Sequence, residues 1–194
     1  MTKSVDFYFD FGSPSAYLAW RRIDGVAART GATVRPIPFL LGGLFKATGN
    51  NPPGAVPAKG LYVFKDLQRF ARKFAVPLTF NEAFPINTIT LMRGAAGYQG
   101  SADFRPYCNA VFNAMWRDNR NAGDPAVLAA ILAEAGLDAS RFEALISDSA
   151  VKERLKTQTE EAAARGAFGA PTFFVGDEMF FGQDRLDFVE EALA

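Results

Sequence analysis

The chain has 194 residues, 49% of them apolar, which suits one domain with a sizeable core or one domain carrying a large insertion. Its 21 basic and 21 acidic residues cancel, which argues against a general nucleic-acid or anionic-membrane binder, since both need a concentrated positive field. There is no histidine and only one cysteine, Cys108. Ser-His-Asp and Cys-His catalysis, histidine-based metal sites and a disulfide framework within one chain are therefore excluded. Catalysis has to come from carboxylates, lysine, tyrosine, hydroxyls, backbone dipoles or a cofactor with its own reactive group. No run of about 18 apolar residues occurs, so no spanning helix is expected. The N-terminal residues lack a signal-peptide layout, and the expected compartment is the cytoplasm.

Residues 5–11, "VDFYFDF", alternate Val5, Phe7 and Phe9 with Asp6, Tyr8 and Asp10, the pattern of a strand. A helix from about Pro14 to Thr30 follows, anchored by Tyr17, Leu18, Ile23 and Val26 and closed at Gly31. "ATVRPIPF" reads as a second strand ending near Pro38, and the helical crossover makes the two strands parallel. Leu61, Phe64, Leu67, Phe70 and Phe74 recur at helical spacing. "TITLMRGAAGY" and "DFRPYCNAVFNAMW" also read as helices. In "GDPAVLAAILAEAG", Asp124 caps, Pro125 takes the first helical position and Gly136 ends the helix. Ser140 to Glu143, "SRFE", fits a capping box, and a further helix runs from about Val151 to Arg165. "PTFFV" and "EMFF" are short strands joined by a Gly176-Asp177 hairpin, and a last helix spans about Arg185 to Ala192. The fold class is α/β: thioredoxin-like β-α-β and β-β-α halves, at 1–41 and 151–194, with a helical insertion over 42–150.

The junction "DFGSPSAYLAW", Asp10 to Trp20, falls where disulfide-exchanging proteins of this fold carry Cys-x-x-Cys. Here the four residues are Ser13, Pro14, Ser15 and Ala16. On one reading, Ser13 is an N-cap followed by a favoured proline, an effect of roughly 1 kcal/mol. On the other, the helix N-terminus, with its partial positive charge and unpaired N–H groups, stabilises an anion. With no thiol of its own at that place, it can hold a thiolate delivered from outside, to which Ser13 donates a hydrogen bond. A free thiol with a pKa near 8.5 is only about a few per cent ionised at pH 7. Without a histidine to activate it, Ser13 is better described as a thiolate stabiliser than as a nucleophile.

Two downstream stretches complete such a site. In "FGAPTFFV", Pro171 is either an ordinary strand-start proline or, as is typical of this fold, a cis proline facing the first motif. In the second case Ala170 presents its backbone N–H and C=O to a peptide. In "FFGQDRLDF", Asp184 is either an N-cap or the acceptor of an ammonium, while Gln183 and the helix N–H groups take a carboxylate. A zwitterionic amino-acid end needs both, and the γ-glutamyl end of glutathione is such a group.

The stretches "DFYFDFGSPSAYLA", "KATGNNPPGAVPAKG" and "FGAPTFFVGDEMFFGQDRL" together resemble 2-hydroxychromene-2-carboxylate isomerases and the related kappa-class glutathione transferases. The resemblance covers nearly the whole chain. It implies a thioredoxin-like, DsbA-like fold, a homodimer and bound glutathione, with Ser13 as the active serine. It places glutathione contacts at Asn50, at the Ala170 backbone before Pro171, and at Gln183 and Asp184. Lys46 matches a basic position of the substrate region, and the following Asn51 and Pro52 fall in the stretch that looks closer to the transferases. The implied reaction is reversible thiolate addition to a conjugated enone, rotation about the resulting single bond, and loss of the thiolate.

Lys46 or Lys59 is the candidate for holding the acceptor's carboxylate; either is otherwise an ordinary surface charge. Phe84, Phe112 and Trp116 are candidates for an aromatic pocket, although most of the 19 phenylalanines must be core. Cys108 reads as an inert buried thiol, and Asp10 as a carboxylate near the site. Conjugation or reduction of electrophiles by glutathione is the rival enzymatic reading. A thiol-peptide-binding protein without turnover is the non-enzymatic one.

Overall fold

The computed structural model describes residues 3–194. Strand β1 (Ser4–Phe9), helix α1 (Pro14–Thr30) and strand β2 (Thr33–Pro38) form the first unit. β1 and β2 are parallel, with Val5 beside Val34 and Phe9 beside Pro38. Near the other end come α8 (Ser149–Ala164), β3 (Thr172–Val175), β4 (Glu178–Phe181) and α9 (Leu186–Leu193). β3 runs antiparallel to both β1 and β4, so the sheet order is β2-β1-β3-β4. Between β2 and α8 lie α2 (Leu41–Thr48), α3 (Pro57–Phe74), α4 (Ile89–Tyr98), α5 (Phe104–Trp116), α6 (Pro125–Glu134) and α7 (Ala139–Ser147). This is the thioredoxin-like architecture that the order of elements predicts, with a mostly helical chain around a mixed sheet.

Successive side chains of a strand point to opposite faces, and β1 uses both. Val5, Phe7 and Phe9 join the main apolar cluster with Tyr17, Leu18 and Ile23 of α1 and Val189 of α9. The same cluster runs on through α4, α5 and α6, so those helices share one core with the sheet. On the other face Tyr8 packs with Phe39, Leu44, Ala162 and Phe174. Asp6, also on that face and buried, accepts from Arg35 Nε at 2.7 Å and from Arg165 at 2.8 Å. A buried carboxylate needs such partners.

The local punctuation acts as the sequence predicts at most places. α1 ends at a left-handed Gly31 (φ 69°) whose N–H donates to Ala27 O. Asp124 caps α6 by accepting from the Ala126 and Val127 N–H groups. The two-residue turn of the β3–β4 hairpin is Gly176-Asp177, with positive φ at Gly176. Two expectations are corrected. The Ser140–Glu143 capping box does not form: Asp138 is the N-cap of α7, accepting from Arg141 N–H, and Ser140 lies inside the helix. Aspartate caps as well as serine, and this one comes two residues earlier. The last helix is not capped by Asp184; that residue lies in a 3-10 turn, Gln183–Arg185, ahead of α9. α3 is helical as its spacing demands, yet only Leu67 and Ala71 are buried along it, and Leu61 is exposed.

Candidate active site

Ser13 caps α1 from extended backbone (φ −102°, ψ 112°), and its Oγ accepts from Ala16 N–H at 3.1 Å. The hydroxyl proton is donated elsewhere, to Ala170 O at 2.9 Å. Capping therefore leaves the hydroxyl proton for a second partner, because the cap uses the oxygen's lone pair and not its proton. The Ala170–Pro171 bond is cis. The residue at the head of α1 and the residue before the proline, 157 apart in sequence, thus touch directly.

The amide inventory of this loop is short. Gly12 N–H donates to Asp10 Oδ1 at 2.8 Å, and Ser13 N–H to Asp10 O at 3.0 Å. Pro14 has none, and the N–H groups of Ala16 and Tyr17 go to Ser13. Ser15 N–H has no hydrogen-bond partner among the described residues. On the opposite wall Ala170 N–H has none among them either. The groups available to an anion are the Ser13 hydroxyl, the Ser15 amide and the partial charge of a 17-residue helix.

Asp10, at 1% exposure, closes the floor. Its second oxygen accepts from Leu41 N–H at 2.8 Å, and the Thr88 hydroxyl faces it. Burial pushes its carboxyl up from the ordinary range, while the Gly12 and Leu41 amides and the Thr88 hydroxyl pull it down.

The remaining candidates converge on Ala170 and Pro171. Asn50, just beyond α2 and the left-handed Gly49, donates from Nδ2 to Phe168 O at 2.7 Å. Gly182 N–H donates to Pro171 O at 3.0 Å, which draws the Gln183–Arg185 turn to the same place. Gly182 has φ 108° and lies against the Asp184 carboxylate, so no other residue fits there without strain. Gln183 is buried, yet its side-chain amide makes no hydrogen bond within the described chain. Arg22 of α1, stacked on Phe74 at 3.6 Å, donates to Gln183 O at 3.2 Å. Asp184 is paired with Arg185 at 2.7 Å.

Among the substrate candidates, Phe84 is exposed and next to the loop, since its ring packs on Trp116, whose Nε1 donates to Phe11 O at 2.7 Å. Trp116 itself has no exposed surface and backs Phe84 rather than lining a pocket; Phe112 is likewise core. Sequence spacing missed that Phe84 continues into Phe80 and Phe64, with ring centroids 6.1 and 4.8 Å apart. Lys46, Asn51, Pro52 and Lys59 are all exposed, and neither lysine forms an ion pair among the described residues. Arg22 and Thr88 carried no local signal in the sequence; only the fold brings Arg22 to the Gln183 turn and Thr88 to Asp10. A hollow of about 520 Å³ lies elsewhere, between the sheet and α8, but the charges of Asp6, Arg35 and Arg165 that line it are already spent on one another.

A helix-capping residue facing a cis-proline loop across the end of a mixed sheet defines a thioredoxin-like protein. A family model for the DSBA-like thioredoxin domain matches residues 4–194. The chain is 39% identical to the 2-hydroxychromene-2-carboxylate isomerase of Pseudomonas putida, over 97% of this chain and 93% of that protein. It is 26% identical to human glutathione S-transferase kappa 1, covering 100% of this chain and 92% of the other. A solved structure of 2-hydroxychromene-2-carboxylate isomerase superposes with a TM-score of 0.88 at 36% identity, covering 98% of this chain and 94% of that one. Within the DSBA-like thioredoxins, the chain belongs to the family of the 2-hydroxychromene-2-carboxylate isomerases and kappa-class glutathione transferases.

Proposed function

We propose that the protein is a glutathione-dependent cis–trans isomerase of a conjugated aromatic 2-oxo acid, of the 2-hydroxychromene-2-carboxylate isomerase type. The observation that carries the reading is Ser13: a hydroxyl at the head of α1, facing Ala170 beside Pro171, in a chain whose only thiol, Cys108, is buried. Three polar groups without partners among the described residues fit a small thiol peptide: the Ser15 N–H, the Ala170 N–H and the side-chain amide of Gln183. Glutathione, when bound, supplies a thiolate that adds reversibly to the enone and turns its double bond into one that can rotate.

The chain's own residues do the rest. Ser13 turns its proton from Ala170 O to the sulfur while its oxygen keeps the Ala16 bond. Ala170 pairs with the peptide backbone as an added strand would. Asn50 contacts the tripeptide, and Gln183 and Asp184 hold its γ-glutamyl end. Phe84, continued by Phe80 and Phe64, offers an aromatic wall, and Lys46 or Lys59 neutralises the substrate carboxylate. A lowered thiol pKa serves both the attack and the departure. The cytoplasm and a homodimer belong to the same proposal; sedimentation tests the second.

The rival is glutathione conjugation, favoured by the kappa-class relatives at lower identity. Two assays at saturating glutathione separate them: isomerisation of a hydroxybenzylidenepyruvate, and conjugation of a chloronitrobenzene. Turnover of the first is expected. Activity on the second alone would give the chain to the transferases, and glutathione binding with neither would leave a thiol-peptide carrier.

A further inference from the structure

The site is closed into a circuit of hydrogen bonds by a buried carboxylate. Asp10 takes Gly12 N–H on Oδ1 and Leu41 N–H on Oδ2, both at 2.8 Å. Leu41 is the first residue of α2, and its N-cap residue, Leu40, provides no capping side chain. Asp10 thus satisfies one of the orphan amides of a helix 31 residues away. α2 leads through Gly49 to Asn50, Asn50 holds Phe168 O at 2.7 Å, and two residues later Ala170 O takes the Ser13 hydroxyl at 2.9 Å. From Ser13 back to Ser13, the path passes through both halves of the site.

We propose that Asp10 is a positioning residue: by gripping the Ser13 loop and the first turn of α2 with one carboxylate, it sets where Asn50 stands relative to Ser13. Two oxygens serve two amides, which asparagine cannot do. Its one oxygen satisfies one donor, and its NH₂ meets the N–H of the other. The inference rests on the glutathione reading for its ligand, but the strut itself is independent of it.

Two variants cut the strut from opposite ends. Asp10→Asn removes an acceptor. Leu41→Pro removes the α2 donor and leaves Asp10 untouched; proline is favoured at a first helical position, and the extended backbone of Leu40 (φ −97°, ψ 110°) suits a following proline. Each is expected to weaken glutathione binding, measured by calorimetry, about tenfold, the scale of one lost charge-assisted hydrogen bond. Combined with Asn50→Ala, each double variant should bind within about twofold of Asn50→Ala alone, since the strut acts through Asn50. Losses that multiply would overturn the proposal. If the wild-type protein binds no glutathione, the functional reading fails and amide exchange decides this one. Leu41→Pro should then speed exchange of Asn51 N–H, which is held by Asn50 Oδ1 at 2.8 Å, and leave the β3–β4 hairpin unchanged. An unaltered Asn51 would sink the strut as well.

Discussion

Replacing Ser13 by alanine separates its two roles, because each has its own readout. As a cap, Ser13 holds Ala16 N–H at 3.1 Å, worth about 1 kcal/mol. Its bond to Ala170 O at 2.9 Å adds roughly another. Ser13→Ala should therefore cost about 1–2 kcal/mol, a fall in Tm of roughly 2–8 °C for a chain of this size. The effect on a bound thiol is a difference. The hydroxyl leaves a neutral acceptor worth about 0.5–1.5 kcal/mol for a charged one worth about 1.5–3. The net, on the order of 1–1.5 kcal/mol, is close to one pKa unit. In the variant the thiol of bound glutathione should titrate about one unit higher, and turnover at neutral pH should drop about tenfold or more, recovering in part as pH is raised. Ultraviolet titration of the thiolate band, near about 240 nm, on saturated protein reads the shift directly. A lower Tm with an unchanged titration would make Ser13 a cap and nothing else.

Three further outcomes follow from the geometry. Phe84→Ala should raise KM for an aromatic substrate several-fold and leave the glutathione Kd in place, because the ring is exposed and its aromatic partners are Phe80 and Trp116, neither of them a proposed glutathione contact; equal losses in both would deny the wall. Burial holds the Cys108 thiol well above its usual range, so native protein should resist an aromatic disulfide reagent at pH 8 and release one equivalent in denaturant; rapid native reaction would contradict the packing. Asp10 is held above the ordinary carboxylate value of 3.8 mainly by burial, so the folded state keeps its proton more tightly than the unfolded chain does. Its proton-linked contribution is complete below that value and is lost as pH climbs through the raised one. The urea midpoint of wild type relative to Asp10→Asn should decline over that rise, and a difference that grows with pH would be fatal to this assignment.

What could be read from the sequence was what is decided within a few residues. Pro14 and Gly31 bracket α1, Asp124-Pro125 opens α6, and the alternation of Val5, Phe7 and Phe9 marks a strand, because caps, turns and pleats are local physics. The same locality explains the errors. Asp138 and Ser140 are both good caps, and a difference of two residues lies within what composition resolves. The spacing along α3 specifies a helix, as found, but not what covers it: Leu67 is buried and Leu61, on the same pattern, is exposed. Trp116 and Phe84 have equal claims to a pocket by composition; only the fold buries Trp116, with its Nε1 on Phe11 O, and leaves Phe84 exposed. Asp6 required a partner, but Arg165 is 159 residues away, and no window of sequence joins them. Asp10 reads as a carboxylate near the site, while the part it plays in holding α2 depends on a contact with Leu41 that no local pattern encodes.

The same hydrogen-bond inventory argues for the kind of anion the loop can hold. Helix N-termini that take phosphate present several free N–H groups to several oxygens. Here Asp10 has already drawn in the amides of Gly12 and Ser13. Pro14 has none to give, and Ser13 has claimed those of Ala16 and Tyr17. What is left is one hydroxyl and one amide, with no arginine or lysine among the hydrogen-bond partners of Ser13. That is too little for a dianion with three exposed oxygens, and it matches a single atom bearing one charge. The unspent Ala170 N–H and the Gln183 amide lie on the cis-proline side, where a ligand extending from that atom would meet them. A thiolate carried on a short peptide fits this distribution of donors, and a phosphate ester of similar length does not.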